Sequence, residues 1–208
     1  MSKRAIIAPS VFDGIVLHQD HALIVDGGRV HAVVPQADVP PECEKQIFEG
    51  GTILPGFVDL QANGGGGVMF NEATSLDGLV AIAGAHAQTG TRALLPTLIT
   101  DSPERTHAAL EAVEQAIAHQ VPGILGIHLE GPHLSIARKG AHAPDLIRRM
   151  SEADEAVLLK AAKRLPNVLV TVAIESVSNA QIERLTQAGV IVSIGHSDCT
   201  ANEAQQAF

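Results

Sequence analysis

The hydrophobic pattern changes character near residue 53. Before that point apolar positions come in short runs, at Arg4–Ala8, Gly14–His18, Ala22–Val25 and Arg29–Val34, each bounded by turn residues. Runs of this kind read as strands. Asp26-Gly27-Gly28 separates two of them and reads as a hairpin turn, because glycine takes positive φ without a side-chain clash. The proline-rich stretch Pro35–Pro41 is expected to break regular structure. Residues 1–53 are therefore predicted to form a small antiparallel β module.

From Ile53 onward, continuous apolar runs alternate with helical stretches. The runs fall at Ile53–Leu60, Arg92–Ile99, Gly123–Leu129, Asn167–Ile174 and Gly189–Ile194. Without polar alternation they suit strands covered on both faces, as in a parallel sheet. Asp101 with Glu104 has the spacing of a capping box before Ala108–Ala118. Ser178 with Gln181 has it before Ile182–Ala188, which Gly189 ends, and Thr200 with Glu203 opens a last helix. Repeated βα units predict an α/β fold over residues 54–208, either doubly wound or closed into a barrel. No G-x-G-x-x-G follows the first of these strands, which counts against a dinucleotide-binding sheet.

In such folds reactive groups collect where strands end. The first strand of the α/β region runs into Asp59-Leu60-Gln61-Ala62-Asn63 and then four glycines, and alternation puts Asp59, Gln61 and Asn63 on one face. The third ends in His128-Leu129-Glu130-Gly131-Pro132-His133, and the fifth in Gly195-His196-Ser197-Asp198. The histidines, Gln61 and Asn63 each have an ordinary reading as hydrogen-bonded scaffolding. Glu130 is harder to read that way, because burying an unpaired carboxylate costs on the order of several kcal/mol. Glu130 and His196 together offer one oxygen and one imidazole nitrogen, both zinc ligands. A catalytic zinc takes three protein ligands and a water. Spacing alone therefore leaves metal ligation and scaffolding both open.

Composition narrows the field without naming a reaction. The chain has 208 residues, 46% hydrophobic and 18% charged, with 14 Lys+Arg against 23 Asp+Glu and a net charge of −9. That is too apolar for a disordered chain and has no basic block for nucleic acid. With five Phe and no Trp or Tyr it also lacks rings on which bases stack. Cys43 and Cys199 are too few for a disulfide framework, and the N-terminus has too short an apolar run for a signal peptide, so a cytoplasmic location is expected. No run is long enough to span a membrane.

The motifs carry a more specific signal. Pro55-Gly56-Phe57-Val58-Asp59-Leu60-Gln61-Ala62-Asn63-Gly64, Leu95-Pro96-Thr97-Leu98-Ile99-Thr100, His128-Leu129-Glu130-Gly131-Pro132-His133-Leu134, Lys139-Gly140-Ala141-His142 and Ser193-Ile194-Gly195-His196-Ser197 occur in that order. Together they closely resemble the N-acetylglucosamine-6-phosphate deacetylase family of the amidohydrolase superfamily, over essentially the whole chain. The resemblance implies a (β/α)8 metal-dependent hydrolase barrel and a small β-sandwich built from both chain ends. It implies one divalent metal ion, expected to be Zn2+, with Glu130 and His196 matching two ligands. Ala141 and His142 match a substrate-contacting pair, His142 lying near the acetamide carbonyl to polarise it. Gln61 and Asn63 stand where many amidohydrolases carry His-x-His for a second metal, so a single-metal site is expected. The implied substrate is N-acetylglucosamine 6-phosphate, cleaved to glucosamine 6-phosphate and acetate, with neither nucleic acid nor membrane as partner and a homodimer at full length.

Residues 54–208 hold about five βα units, whereas a complete barrel needs eight and roughly 250 residues. The third metal ligand, the acid/base aspartate and the phosphate-binding residues are expected beyond residue 208, and the isolated chain is expected to be inactive. Two alternatives stand beside this reading. One is a non-catalytic remnant or interaction module; the other is a deacetylase of a different N-acetyl hexosamine phosphate, such as N-acetylgalactosamine 6-phosphate.

Overall fold

The structure, a computed structural model, describes residues 3–207. The chain forms two compact units, Met1–Gly56 and Phe57–Phe208. The first contains β1 (Arg4–Ile7), β2 (Ser10–Phe12), β3 (Leu17–Gln19), β4 (His21–Asp26), β5 (Arg29–Pro35), β6 (Glu44–Ile47) and β7 (Thr52–Ile53). These make one sheet of order β5-β4-β1-β6 and a second of order β3-β2-β7. Gly27 and Gly28, at φ 58° and 80°, turn β4 into β5 as the sequence predicts.

The module is mixed and not purely antiparallel, because β6 runs parallel to β1 and β7 parallel to β2. Hairpins force antiparallel neighbours, but the long connection after β5 lets the chain return beside β1 in the same direction. The proline-rich stretch is also more ordered than expected. Pro35 leads into a single 3-10 turn at Gln36–Asp38, where its fixed φ suits a helix start. Strand β6 escaped the sequence reading because all four of its residues are exposed and only Ile47 is apolar. Ala5, Ile24 and Cys43 form the buried centre of this unit.

The second unit contains β8 (Phe57–Ala62), the short pair β9 (Gly64–Gly65) and β10 (Val68–Met69), α1 (Leu76–Gln88), β11 (Thr91–Ile99), α2 (Pro103–Ala118), β12 (Ile127–Glu130), α3 (Glu152–Ala162), β13 (Val168–Val172), α4 (Asn179–Gln187), β14 (Ile191–Ile194) and α5 (Ala201–Gln206). Five strands form one parallel sheet in the order β14-β13-β12-β11-β8. Each new strand joins the edge its predecessor left, and the order never reverses. A doubly wound sheet has a reversal point. This is therefore a singly wound, half-barrel sheet. Every residue of β12 and β13 is buried, as their unbroken apolar runs required. On the edge strands Phe57, Val58, Leu60 and Ile191 are 50% or more exposed.

Local chemistry sets the helix starts. Ser151 with Asp154, Ser178 with Gln181 and Thr200 with Glu203 form complete capping boxes. For α2 the cap is Ser102, whose side chain accepts from the Arg105 amide, and not Asp101. Asp101 is drawn away because its carboxylate accepts from the Asn71 amide group at 2.8 Å. Leu79, Ile82, Leu94, Ile127, Val168, Val170 and Leu185 are almost completely buried between sheet and helices. Each contributes on the order of 1.5–3 kcal/mol of hydrophobic stabilisation. Among the described residues, no helix is long and apolar enough to cross a membrane.

One irregularity matters for the site. Where Leu94 and Pro96 of β11 pair with Asp59 and Ala62 of β8, the latter strand holds one extra residue. Such a bulge shifts the alternation of faces. Asp59 turns towards His86 of α1, 3.9 Å away, while Gln61 points to Glu130. The expected common face for Asp59, Gln61 and Asn63 is thereby broken.

Candidate metal centre

Strand β12 delivers His128 and Glu130 from alternate positions on one face, and both are buried. They do different things. His128 Nδ1 lies 2.9 Å from the Leu60 carbonyl, so it donates there, and Nε2 then accepts from the Thr171 hydroxyl at 2.8 Å. This ring staples β8, β12 and β13. Burial, only partly opposed by the Leu60 hydrogen bond and the Glu130 charge, pushes its pKa below the ordinary histidine value. His128 is scaffolding.

Glu130 stands at the centre of the polar cluster. Its Oε2 accepts from the Gln61 amide at 3.0 Å, and its Oε1 lies 3.1 Å from His196 Nε2 and 4.0 Å from His142 Nε2. One ligand atom from each of Glu130, His142 and His196 can be chosen so that all lie within 4.8 Å of one another. His142 arrives from the loop after β12 and is buried at 4% exposure. That burial lowers its pKa, with Glu130 opposing the shift and His196 reinforcing it. The rings of His142 and His196 meet edge to face, with centroids 4.6 Å apart.

His196 follows β14 in a left-handed conformation, φ 50°, that a non-glycine residue rarely adopts. Its surroundings hold it there. The Ser135 amide donates to the His196 carbonyl at 2.9 Å, and His196 Nδ1 donates to the Arg138 carbonyl at 2.8 Å. Glu175 braces the following turn by accepting from the Ser197 hydroxyl at 2.6 Å and the Asp198 amide at 2.7 Å. Burial alone would raise the Glu175 pKa, but these hydrogen bonds hold it below the usual carboxylate range. Arg138 pairs with Asp198 at 2.7 Å across the same loop.

The donor set suits a cation. A carbonyl oxygen only accepts, so His196 Nδ1 must carry a proton. In the neutral ring Nε2 is then a bare lone pair facing a carboxylate oxygen at 3.1 Å. Two acceptors so close need a positive charge between them, either a second proton on the ring or a metal ion. Carboxylate oxygen and imidazole nitrogen are both borderline ligands for Zn2+ and its first-row neighbours.

Of the residues singled out from the sequence, Glu130, His142 and His196 come together and Gln61 joins them through its amide. Asn63 does not. Its side chain makes no hydrogen bond to the cluster among the described residues, and its carbonyl accepts from the Phe70 amide. Ala141 is exposed beside His142. Nothing in the local sequence pattern marked Thr100, Ser135, the Arg138 carbonyl or Glu175 as supports. In that order they act across 42, 61, 58 and 22 residues of chain. A cleft between α2 and α3, lined in part by His107, His133, Arg148 and Asp154, shares no residue with the cluster.

The singly wound parallel half-barrel that carries this cluster is similar in fold to amidohydrolase-superfamily deacetylases. Along its length the chain is similar to the N-terminal half of N-acetylglucosamine-6-phosphate deacetylases. The family profile described as the NagA composite domain matches residues 5–54. The chain is 39% identical to an N-acetylgalactosamine-6-phosphate deacetylase of Shewanella sp. (strain ANA-3), covering 91% of this chain and 53% of that protein. It is 33% identical to the N-acetylglucosamine-6-phosphate deacetylase of Haemophilus influenzae, covering 99% and 54%. The crystal structure of the Pasteurella multocida N-acetylglucosamine-6-phosphate deacetylase superposes with a TM-score of 0.91 at 34% identity, covering 99% and 54%. The chain thus spans about half the length of the curated relatives it matches.

Proposed function

We propose that this chain supplies half of a (β/α)8 barrel and the first ligands of a deacetylase acting on N-acetylglucosamine 6-phosphate. The observation that carries this is the buried Glu130 carboxylate facing His196 Nε2 at 3.1 Å, in a chain similar to such enzymes along its length. Glu130 and His196 would hold one divalent metal ion, in our reading Zn2+. When bound, such an ion lowers the pKa of water and stabilises negative charge developing on a carbonyl oxygen.

The protein's own groups have separate tasks. Gln61 ties down the second oxygen of Glu130, leaving Oε1 directed at His196. Gln61 and Asn63 occupy the place of a second metal site without the imidazoles that would hold one. His142 donates a hydrogen bond to the acetamide oxygen and strengthens it as negative charge develops there. Ala141, beside it, leaves room for the sugar. In this reading a further ligand, an acid/base aspartate and the phosphate contacts would come from the part of the relatives' length that this chain does not span.

Acetate release from N-acetylglucosamine 6-phosphate, measured with zinc supplied, tests the reading. The chain joined to the C-terminal half of a relative should turn over, and the chain alone should not. Rapid turnover by the chain alone would overturn the claim that further residues are needed. The similarity to an N-acetylgalactosamine-6-phosphate deacetylase makes that epimer the second substrate to compare.

A further inference from the structure

His142 sits among the groups that would surround a metal ion, yet its hydrogen bonds give it another role. Its Nδ1 faces two groups of one residue, the Thr100 backbone nitrogen at 3.3 Å and the Thr100 hydroxyl at 2.8 Å. A backbone amide only donates, so Nδ1 must present its lone pair. The hydroxyl has one proton and two acceptors in reach, Nδ1 at 2.8 Å and the Glu130 carbonyl oxygen at 3.4 Å. The shorter contact takes it. A neutral imidazole carries one proton, which must then lie on Nε2, the atom 4.0 Å from Glu130 Oε1. An Nε2–H group donates hydrogen bonds and has no lone pair for a cation. His196 is the reverse, with its Nδ1 proton held by the Arg138 carbonyl and, in the neutral ring, its lone pair towards Glu130.

We propose that Thr100 is a positioning residue whose amide and hydroxyl fix His142 as the Nε2–H tautomer, so that this ring enters the site as a hydrogen-bond donor and not as a third metal ligand. The carbonyl as its acceptor rests on the deacetylase reading; the tautomer does not. Two features enforce the arrangement. Thr100 and His142 are both about 95% buried, which keeps water from exchanging for these bonds. Pairing of Ile99 with Glu130 sets Thr100 beside Gly131, where a Cβ would lie only 2.2 Å from the Thr100 hydroxyl oxygen. The hydroxyl fills the space that glycine leaves, and has little room to turn elsewhere. Reversing the tautomer would set two protons against each other and leave a buried amide unpaired. The Nε2–H form should therefore prevail by roughly ten- to a hundredfold.

The test is a long-range 1H–15N correlation spectrum of the 15N-histidine-labelled chain, recorded at mildly alkaline pH with and without Zn2+. His142 should show a bare, pyridine-like Nδ1 and a protonated Nε2, and Zn2+ should perturb the His196 Nε2 signal while leaving His142 Nε2 protonated. A protonated Nδ1, or loss of the Nε2 proton on adding Zn2+, would overturn the proposal. Thr100→Val keeps the amide but removes the hydroxyl and should lower the tautomer ratio about tenfold; Thr100→Ser should restore it. An unchanged ratio in Thr100→Val would overturn the hydroxyl's part. If Thr100→Val fails to fold, the native chain and Thr100→Ser still decide the matter. A correct tautomer with no deacetylation by the chain joined to a relative's C-terminal half would sink the deacetylase reading and leave this one standing.

Discussion

Replacing Gly131 with alanine places a methyl group where the Thr100 hydroxyl already sits. Gly131 has φ +87°, and a Cβ there would lie 2.2 Å from Thr100 Oγ1 and 3.1 Å from Cδ1 and Cγ of Leu134. Two costs follow. The left-handed backbone costs a non-glycine residue about 1–2 kcal/mol. Overpacking a buried site costs about 1–3 kcal/mol more. Their sum, about 2–5 kcal/mol, is a large share of the 5–15 kcal/mol by which a typical domain is stable. The two terms separate in a double-mutant cycle. Thr100→Ala removes the clashing oxygen, so in that background Gly131→Ala should cost only the backbone term and the tighter Leu134 contact. The cycle should show a coupling of about 1–2 kcal/mol, read from urea-unfolding midpoints of the four proteins by circular dichroism. Equal costs in the two backgrounds would refute the claim that the hydroxyl occupies the glycine's space.

Other expectations are equally direct. In the chain joined to the C-terminal half of a relative, Glu130→Ala and His196→Ala should each abolish stoichiometric zinc after dialysis, while His142→Ala should retain it; zinc kept by the first two would return them to structural roles. Arg184 clamps the 5%-exposed Glu155 through two bonds, of 2.6 and 2.9 Å, joining α3 to α4. Arg184→Ala should lower the urea midpoint because it leaves the Glu155 carboxylate buried without its partner, and Arg184→Ala with Glu155→Ala should recover part of the loss. Burial holds His133 below its ordinary value of 6.5, so the unfolded chain binds that proton more readily. The associated stability is complete above 6.5 and declines as pH falls below it. His128 and His142 add with the same sign. His133→Gln should therefore flatten, without abolishing, the drop in urea midpoint between about pH 7 and pH 5; an unchanged slope would count against its buried, neutral state.

Features with short sequence range were the legible ones. The boxes at Ser178–Gln181 and Thr200–Glu203 close over three residues, and the structure contains both. Asp101 misled because a residue far along the chain, Asn71, claims its carboxylate and leaves Ser102 to cap α2. Glu130 and His196 stood out because polar groups at the ends of apolar runs need a reason to be there. Asn63 shared that pattern but stays out of the cluster. The extra residue in β8 separates Asp59 from Gln61, and nothing in the local sequence announces a bulge.

By itself the sequence determined the alternation of strands and helices and the residue types able to bind a metal. These follow from hydrophobic period and local capping, both of which act within a few residues. The tertiary structure alone decided that the parallel sheet is singly wound, that β6 and β7 run parallel to their partners, and which edge of each histidine faces Glu130. A neutral histidine carries its proton on the nitrogen that faces an acceptor and keeps its lone pair on the one that faces a donor. For His142 and His196 that is set by the Thr100 amide and hydroxyl and by the Arg138 carbonyl, 42 and 58 residues away in the chain, brought into hydrogen-bond range only by the fold.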